Sequence, residues 1–315
     1  MTKIRWGLIG AGWIATKAIA PAMHAASGAI VQAVASRDPA RSRALNPVTV
    51  HESYQALIND PLVDAVYISL PNHLHCQWSV AALNAGKHVL CEKPFAMDSS
   101  EVELMVKAAR GNDRLLVEAV WSRWHPRMAR MIDYVKAGNI GRLLSIESSF
   151  TFPASIDGNY RLSPAMGGGA LFDVGVYPLH AMAALVGDNA QMEIEGCDVT
   201  TGPTGIDLTS SWQMRFAGSI TAQGVASFEL PENQSLIVHG EKESVELVGK
   251  EAFTSWNSPS QLRLGDNFEE FEAVDPYQLM IENFGKSMQG QESWVLPLET
   301  SVFVQRALDQ LRATF

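Results

Sequence analysis

The sequence predicts an α/β domain built on a doubly wound parallel sheet, followed by an α+β domain with a large, open, mostly antiparallel sheet. Three observations lead there. Apolar runs alternate with helical patterns from residue 3 to 117. A glycine-rich turn joins the first run to the first helical pattern. From 192 to 272 short alternating runs follow one another, as in an antiparallel sheet with one face covered. The length of 315 residues suits two domains at about 100–200 residues each. The texture changes near 120, which places the domains at 1–120 and 121–315.

Lys3 to Ile9 reads as a strand ending in glycines, and 13–27 as a helix with Ile14, Ala18, Ile19 and Met23 on one face. Residues 29–35 are a buried strand. Only about ten residues separate Asp38 from Val48, and Pro47 limits any helix between them, so a truncated crossover is expected. Strands at 64–70, 88–91 and 115–117 enclose helices at 74–85, ended by Gly86, and at 98–111, started by Asp98 or Ser99. Beyond 120 come a helix at 126–137, a long strand at 143–152, a helix at 171–186, and strands at 192–200, 206–216, 219–228, 234–239 and 243–248. A last helix, 299–313, can pack on either domain.

Composition excludes several classes. At 47% hydrophobic and 18% charged residues the chain supports a sizeable core. A net charge of -10 argues against a nucleic-acid partner. No uninterrupted apolar stretch of about 18 residues is seen, so no membrane partner is expected. The 3 cysteines form no C-x-x-C pair and too few bridges for a disulfide framework, which suits a reduced cytoplasmic setting. Lys3 and Arg5 ahead of apolar residues imitate an export signal, but Gly7, Gly10 and Gly12 interrupt it.

Those glycines read better as a dinucleotide site. In Gly10-Ala11-Gly12-Trp13-Ile14-Ala15, Gly10 permits the tight turn, Gly12 lets a pyrophosphate approach the backbone, and Ala15 allows close helix–strand packing. The helix N-terminus, at Trp13 and Ile14, offers free N–H groups and a positive dipole to the phosphates. An acidic residue usually ends the second strand when the ligand is NAD. Ser36 and Arg37 stand there instead, and a hydroxyl with a guanidinium suits the 2′-phosphate of NADP. The alternative is that Asp38 reaches a ribose while Arg37 is solvated.

Three further clusters carry chemistry. Leu70-Pro71-Asn72-His73-Leu74-His75 follows a strand's carboxyl end, where ligands bind in such sheets. His73-x-His75-Cys76 is not read as a metal site, since the two imidazoles diverge on a helix. Asn72 and His75 contact the cofactor, cap the next helix, or both. Cys91-Glu92-Lys93-Pro94 follows another strand, and the proline restricts Lys93 to extended geometry with a bond that can be cis. In Gly167-Gly168-Gly169 through Asp173, Tyr177 and His180, the three polar residues share a helix face. They face a ligand or form a buried polar stripe that satisfies itself, and the glycines permit close approach by a ligand or another backbone.

Together these clusters resemble the glucose–fructose oxidoreductase/inositol dehydrogenase (Gfo/Idh/MocA) family. The motifs that carry the resemblance are Gly-Lys-His-Val-Leu-Cys-Glu-Lys-Pro at 86–94, Gly-Gly-Gly-Ala-Leu-Phe-Asp-Val-Gly-Val-Tyr at 167–177, and Glu118-Ala-Val-Trp121-Ser-Arg123-Trp-His-Pro126. The last is similar to the branch with dimeric dihydrodiol dehydrogenases and NADP-dependent D-xylose dehydrogenases. The inositol dehydrogenase branch usually has His at the place of Tyr177.

The resemblance implies a Rossmann domain followed by an open-faced sheet through which members form homodimers or homotetramers. It implies that Lys93 and Tyr177 serve the chemistry and that Asp173 lines the substrate pocket with Trp121, Tyr177 and His180. Gly10, Gly12, Trp13, Ile14, Ser36, Arg37, Leu70, Asn72, His75, Glu92, Lys93 and Arg123 are then the cofactor residues. The short 38–48 segment and the modest overall length depart from the family pattern.

The expected function is hydride transfer between NADP and a small-molecule sugar, vicinal diol or related carbonyl compound. A tyrosine of pKa about 10 needs roughly 4 kcal/mol to act near pH 7. An ammonium at about 4 Å in an effective dielectric of about 20 supplies that much. Lys93 itself as the acid is an alternative. Other classes are a nucleotide-binding regulator without turnover and a cofactor-assisted glycosidase.

Overall fold

A computed structural model describes residues 3–154 and 159–315. The chain divides into two compact units, Met1–Trp121 with Asp275–Leu298, and Ser122–Val274 with Glu299–Phe315.

The first unit holds strands β1 (Ile4–Ile9), β2 (Ala29–Ala35), β3 (Thr49–His51), β4 (Ala65–Ile68), β5 (His88–Cys91) and β6 (Leu116–Glu118). They pair in the order β3-β2-β1-β4-β5-β6, all parallel. The order reverses beside β1, so the switch point lies between β1 and β4, where this architecture places ligands. Strands β1, β2, β4 and β5 are buried almost throughout, because helices cover both faces. Helical turns Ala15–Ile19, in wide π geometry, lead into α1 (Ala20–Ala25). The wide turn precedes Pro21, which has no N–H to give to a preceding carbonyl.

The 38–48 segment is not bare. It forms α2 (Pro39–Arg43), with Asp38 as N-cap accepting the Ala40 N–H at 2.8 Å. Next come β3 and α3 (Tyr54–Ile58), neither marked by the hydrophobic pattern. The remaining helices here are α4 (His75–Asn84) and α5 (Ser99–Gly111). Asp98 rather than Ser99 caps α5, accepting the Glu101 N–H at 2.9 Å.

The second unit is built on an eight-stranded sheet of β7 (Leu143–Thr151), β8 (Met192–Thr201), β9 (Asp207–Phe216), β10 (Ile220–Ser227), β11 (Asn233–Gly240), β12 (Ser244–Val248), β13 (Ser260–Leu264) and β14 (Asn267–Phe271). The order is β14-β13-β12-β11-β7-β10-β9-β8, and only the β7–β10 pair is parallel. One face buries Ile146, Trp212, Met214, Leu236, Val238, Val245 and Leu262. The other carries ion pairs such as Arg215–Glu195 and Arg263–Glu246. Helices α6 (Pro126–Lys136) and α7 (Val176–Val186) pack on the buried face, α7 entered through π turns at Leu171–Gly175. The helical stretch Pro164–Val186 is long and apolar enough to cross a bilayer, contrary to the sequence reading. Nearly all of it is buried inside the structure, as a core helix would be.

Two helices follow the second sheet. The sequence pattern marked only the later one, α9 (Leu298–Arg312), which lies in the second unit with Phe303 against Phe216. The earlier one, α8 (Pro276–Met288), returns to the first unit and buries Tyr277, Met280, Ile281 and Phe284. Its Phe284 ring lies 5.0 Å from Trp6 of β1, and both are fully buried. Phe284→Ala should therefore cost about 3–5 kcal/mol in equilibrium unfolding, through lost transfer energy and the cavity left behind. A loss below about 1 kcal/mol would show that α8 is not part of that core.

Candidate functional site

In the first unit the glycine turn sits at the carboxyl end of β1. Gly10 has φ +99°, and a Cβ there would lie 2.6 Å from the Ser69 carbonyl oxygen at the end of β4. Both the backbone conformation and the close strand approach require glycine. Gly12 faces open space, and Ala15 is fully buried. Trp13 is 67% exposed beside this turn, an uncommon place for an indole. The first N–H groups of the helix lack intrahelical acceptors and point out of its end.

At the end of β2, Arg37 is exposed, near enough to Tyr54 for its charge to act on that phenol. The Ser36 hydroxyl bonds the Asp38 carbonyl at 2.7 Å and Ser42 Oγ at 2.8 Å. The Asp38 carboxylate caps α2, accepting the Ala40 N–H. Arg37 follows Ser36 in the chain and is exposed.

Past β4, Leu70 is half-buried and Asn72 is buried in a short 3₁₀ turn. Leu74 stands at the N-cap of α4 and makes no side-chain capping bond, and the His75 ring does not cap the helix, in contrast to one expectation for His75. The His75 ring instead lies between two backbone carbonyls, with Nδ1 2.8 Å from Pro94 O and Nε2 2.8 Å from Leu70 O. Burial holds its pKa below the ordinary histidine value, so the neutral ring donates to one of the two at a time. With the proton on Nδ1, the bond to the Pro94 carbonyl ties the segment after β4 to the segment after β5.

The segment after β5 carries Lys93, half-buried, with a cis bond to Pro94. Glu92 is buried beneath it. Its carboxylate accepts the Tyr67 hydroxyl and, at 3.2 Å, the Lys93 N–H. Burial raises the Glu92 carboxyl, while Tyr67 and the Lys93 ammonium pull the other way. Trp121 is also buried in this unit and stacks on Tyr277 of α8, with centroids 4.6 Å apart. Among the described residues, no group of three or more His, Cys, Asp or Glu is placed to hold a metal ion.

The second unit brings Asp173, Tyr177 and His180 onto one helical face, all buried. Tyr177 packs against Phe150 of β7 at 5.3 Å and Phe253 at 6.1 Å. His180 has no exposed surface. Arg123 is buried and donates from Nη1 to the His180 carbonyl at 3.1 Å, and burial lowers its pKa to about 10.

Two residues that the sequence pattern did not mark complete this region. Arg161 donates from Nε to Asp173 Oδ2 at 2.7 Å. Asp207 of β9 accepts the Leu171 N–H at 2.6 Å and the Ser210 hydroxyl at 3.0 Å. The glycine run makes this packing possible. A Cβ on Gly168 would strike the Arg161 carbonyl, and one on Gly169 would strike the Asp207 carboxylate. Of the two partners the sequence allowed for the glycines, they meet another backbone and a carboxylate. The only sequence signal for these partners was the glycine run itself.

Comparison with known proteins places the chain. Residues 4–119 match a model described as "Oxidoreductase family, NAD-binding Rossmann fold", and residues 128–246 match the GFO/IDH/MocA C-terminal domain. The chain belongs to the Gfo/Idh/MocA oxidoreductase family. It is 32% identical to an uncharacterized oxidoreductase, ORF334, of Rhizobium meliloti, over 99% of this chain and 97% of the relative. It is 32% identical to D-xylose 1-dehydrogenase (NADP(+)) 2 of Haloferax volcanii, over 97% of this chain and 95% of the relative. Among solved structures it is similar to KijD10, a 3-ketoreductase from Actinomadura kijaniata in complex with NADP and TDP-benzene. That match has 29% identity and a TM-score of 0.89, covering 99% and 98% of the two chains. KijD10 has also been solved with substitutions at one lysine and one tyrosine, separated along its chain as Lys93 and Tyr177 are here.

Burial pushes the Asp207 carboxyl up to about 6, against the hydrogen bonds from Leu171 and Ser210. An unfolded-chain aspartate titrates near 4, so the folded protein binds this proton more tightly. The linked stability is greatest below about pH 4 and declines as pH rises through about 6, by up to about 3 kcal/mol. Urea unfolding of wild type and Asp207→Asn checks this. The wild type should lose about 2 kcal/mol relative to the variant between pH 4.5 and 6.5, and parallel pH curves would refute it.

Proposed function

We propose that the protein is an NADP-dependent dehydrogenase or reductase acting on a hydroxyl or carbonyl carbon of a sugar, vicinal diol or related compound. The observation that carries this reading is the β1 turn at the switch point. There a positive-φ glycine, an open Gly12 and a free helix N-terminus stand on one sheet edge with exposed Arg37. Backbone N–H groups at Gly12, Trp13 and Ile14 would hold the pyrophosphate, with Gly10 shaping the turn. Arg37 and Ser36 would hold the 2′-phosphate, an assignment supported by the capping role of Asp38 and by NADP in the similar proteins. Leu70, Asn72 and the Glu92–Lys93 segment would border the nicotinamide end, with His75 fixing that edge through the Pro94 carbonyl. When bound, NADP supplies or accepts the hydride.

The chain's own task is then the proton. In oxidation the Tyr177 phenolate oxygen takes the hydroxyl proton as the C–H bond gives up its hydride. In reduction the Tyr177 hydroxyl returns a proton to the carbonyl oxygen. The Lys93 ammonium would stabilise the phenolate, and Glu92 anchors that segment by accepting the Lys93 N–H. Substitutions at a lysine and a tyrosine of the same separation in KijD10 support the pairing. Asp173 accepts a substrate hydroxyl, and Trp121 offers an aromatic surface. Arg123, bonded to the His180 carbonyl, supports the helix that bears Tyr177.

Lys93→Met and Tyr177→Phe should each lower kcat by about 10²–10⁴-fold while NADPH still binds. Near-normal turnover in either would remove that residue from the proton path. Arg37→Ala should weaken NADPH binding about tenfold to a hundredfold and leave NADH nearly unchanged, as loss of a charged hydrogen bond predicts. Equal losses for the two cofactors would reject the 2′-phosphate assignment.

A further inference from the structure

Arg161 has a built position in the second unit. It lies in the turn Tyr160–Leu162, and its guanidinium carbon sits 5.0 Å from the Tyr160 ring centroid. Its carbonyl accepts the Gly169 N–H at 2.9 Å, and the Ser163 carbonyl accepts the Gly168 N–H at 2.9 Å. A side chain on Gly168 would strike the Arg161 and Ser163 carbonyls of this turn. The turn is thus clamped to the start of the helix that bears Asp173 and Tyr177. From there Arg161 Nε meets Asp173 Oδ2 at 2.7 Å, one helical turn before Tyr177 on the same face. The arginine side chain is 33% exposed and the aspartate 10%.

We propose that Arg161 is a positioning residue for proton transfer: its ion pair with Asp173 balances the electrostatic field on the Tyr177 hydroxyl. This rests on the reading of Tyr177 as the proton carrier. Asp173 alone, a carboxylate one turn away, opposes formation of a phenolate. Arg161 alone favours it. Held together at fixed places they largely cancel, and the phenol is left responsive to Lys93. Burial works against charge on Arg161, yet Asp173, Tyr160 and Tyr177 together hold its pKa above the usual arginine value. The cation and a phenolate at Tyr177 therefore favour one another.

Around Tyr177, Phe150 and Phe253 pack on the ring and carry no charge. Among the described residues, the titratable and charged groups on or against this helix include Asp173 and His180 on the helix itself, Arg161 and Tyr160 on the clamped turn, Asp207 at the Leu171 N–H, Arg123 at the His180 carbonyl and Arg312 over the Phe172 ring. Lys93 joins them in the proposed reaction.

The test reads the phenol directly. Protein labelled with ¹³Cζ-tyrosine is titrated by NMR, with the Tyr177 signal assigned by its loss in Tyr177→Phe. Arg161→Gln, which keeps a donor to Asp173 without the charge, should raise the Tyr177 pKa by about one unit or more. Asp173→Asn should lower it, and Arg161→Lys should restore most of the wild-type value. Arg161→Met serves as a second neutral variant, and unfolding midpoints check that each variant folds. Shifts of opposite sign support the proposal. An unmoved phenol in a folded neutral variant overturns it, as does a fall in activity without any change in titration. If the phenol moves as expected but the pH–rate profile does not follow, the tuning stands and Tyr177 is not the proton carrier.

Discussion

A buried carboxylate holding the end of a helix organises the second unit. Asp207 receives the Leu171 N–H at 2.6 Å where the helix toward Tyr177 begins, and it is almost wholly out of water there. A helix start leaves N–H groups without partners, and an anion answers both that shortage and the dipole. The acceptor comes from a strand 36 residues later in the chain, so the bond fixes the helix against the sheet. Gly168 and Gly169 follow from the same demand for space. The turn bearing Arg161 closes over one and the Asp207 carboxylate presses on the other. Asp173 and Tyr177 inherit their orientation from this junction.

The first unit solves a related problem with different means. Its sheet needs β1 and β4 close enough for Ser69 N–H to reach the Ile9 carbonyl at 2.9 Å, just where the chain must turn into a helix. Gly10 meets that requirement by having no side chain. Beyond β4 and β5, the His75 ring with its proton on Nδ1 joins the two segments at the Pro94 carbonyl. Tyr67 reaches up from β4 to the Glu92 carboxylate, so the residue before Lys93 is anchored in the sheet itself.

Much of this was legible in the residues. The glycine turn, the Lys-Pro segment and the face shared by Asp173 and Tyr177 depend on neighbours within a few positions, and a sequence displays such spacing directly. The sheet with its helices was readable for the same reason. Strand β3 was missed because it has three half-buried residues with Val50 alone strongly apolar. Helix α8 carries a signal of its own in the sequence: Asp275 before Pro276, then Tyr277, Met280, Ile281 and Phe284 at helical spacing. The π turns left no pattern of their own. Arg161 and Asp207 could not be picked out, since one exposed-looking arginine and one strand aspartate resemble any others. Their partners lie 12 and 36 residues away, and only folding brings them together. The glycine run announced that something would come close without saying what.

The return of α8 to the first sheet makes that unit discontinuous along the chain. A fragment cut at Trp121 would lack Phe284, Met280 and Tyr277, and it would bare the Trp6 face that they cover. Grafting this half onto a relative, or evolving it by exchange of a contiguous gene segment, would have to carry residues 275–298 as well. Order of synthesis follows from this: the core of the first unit stays unfinished until residues 275–298 have emerged.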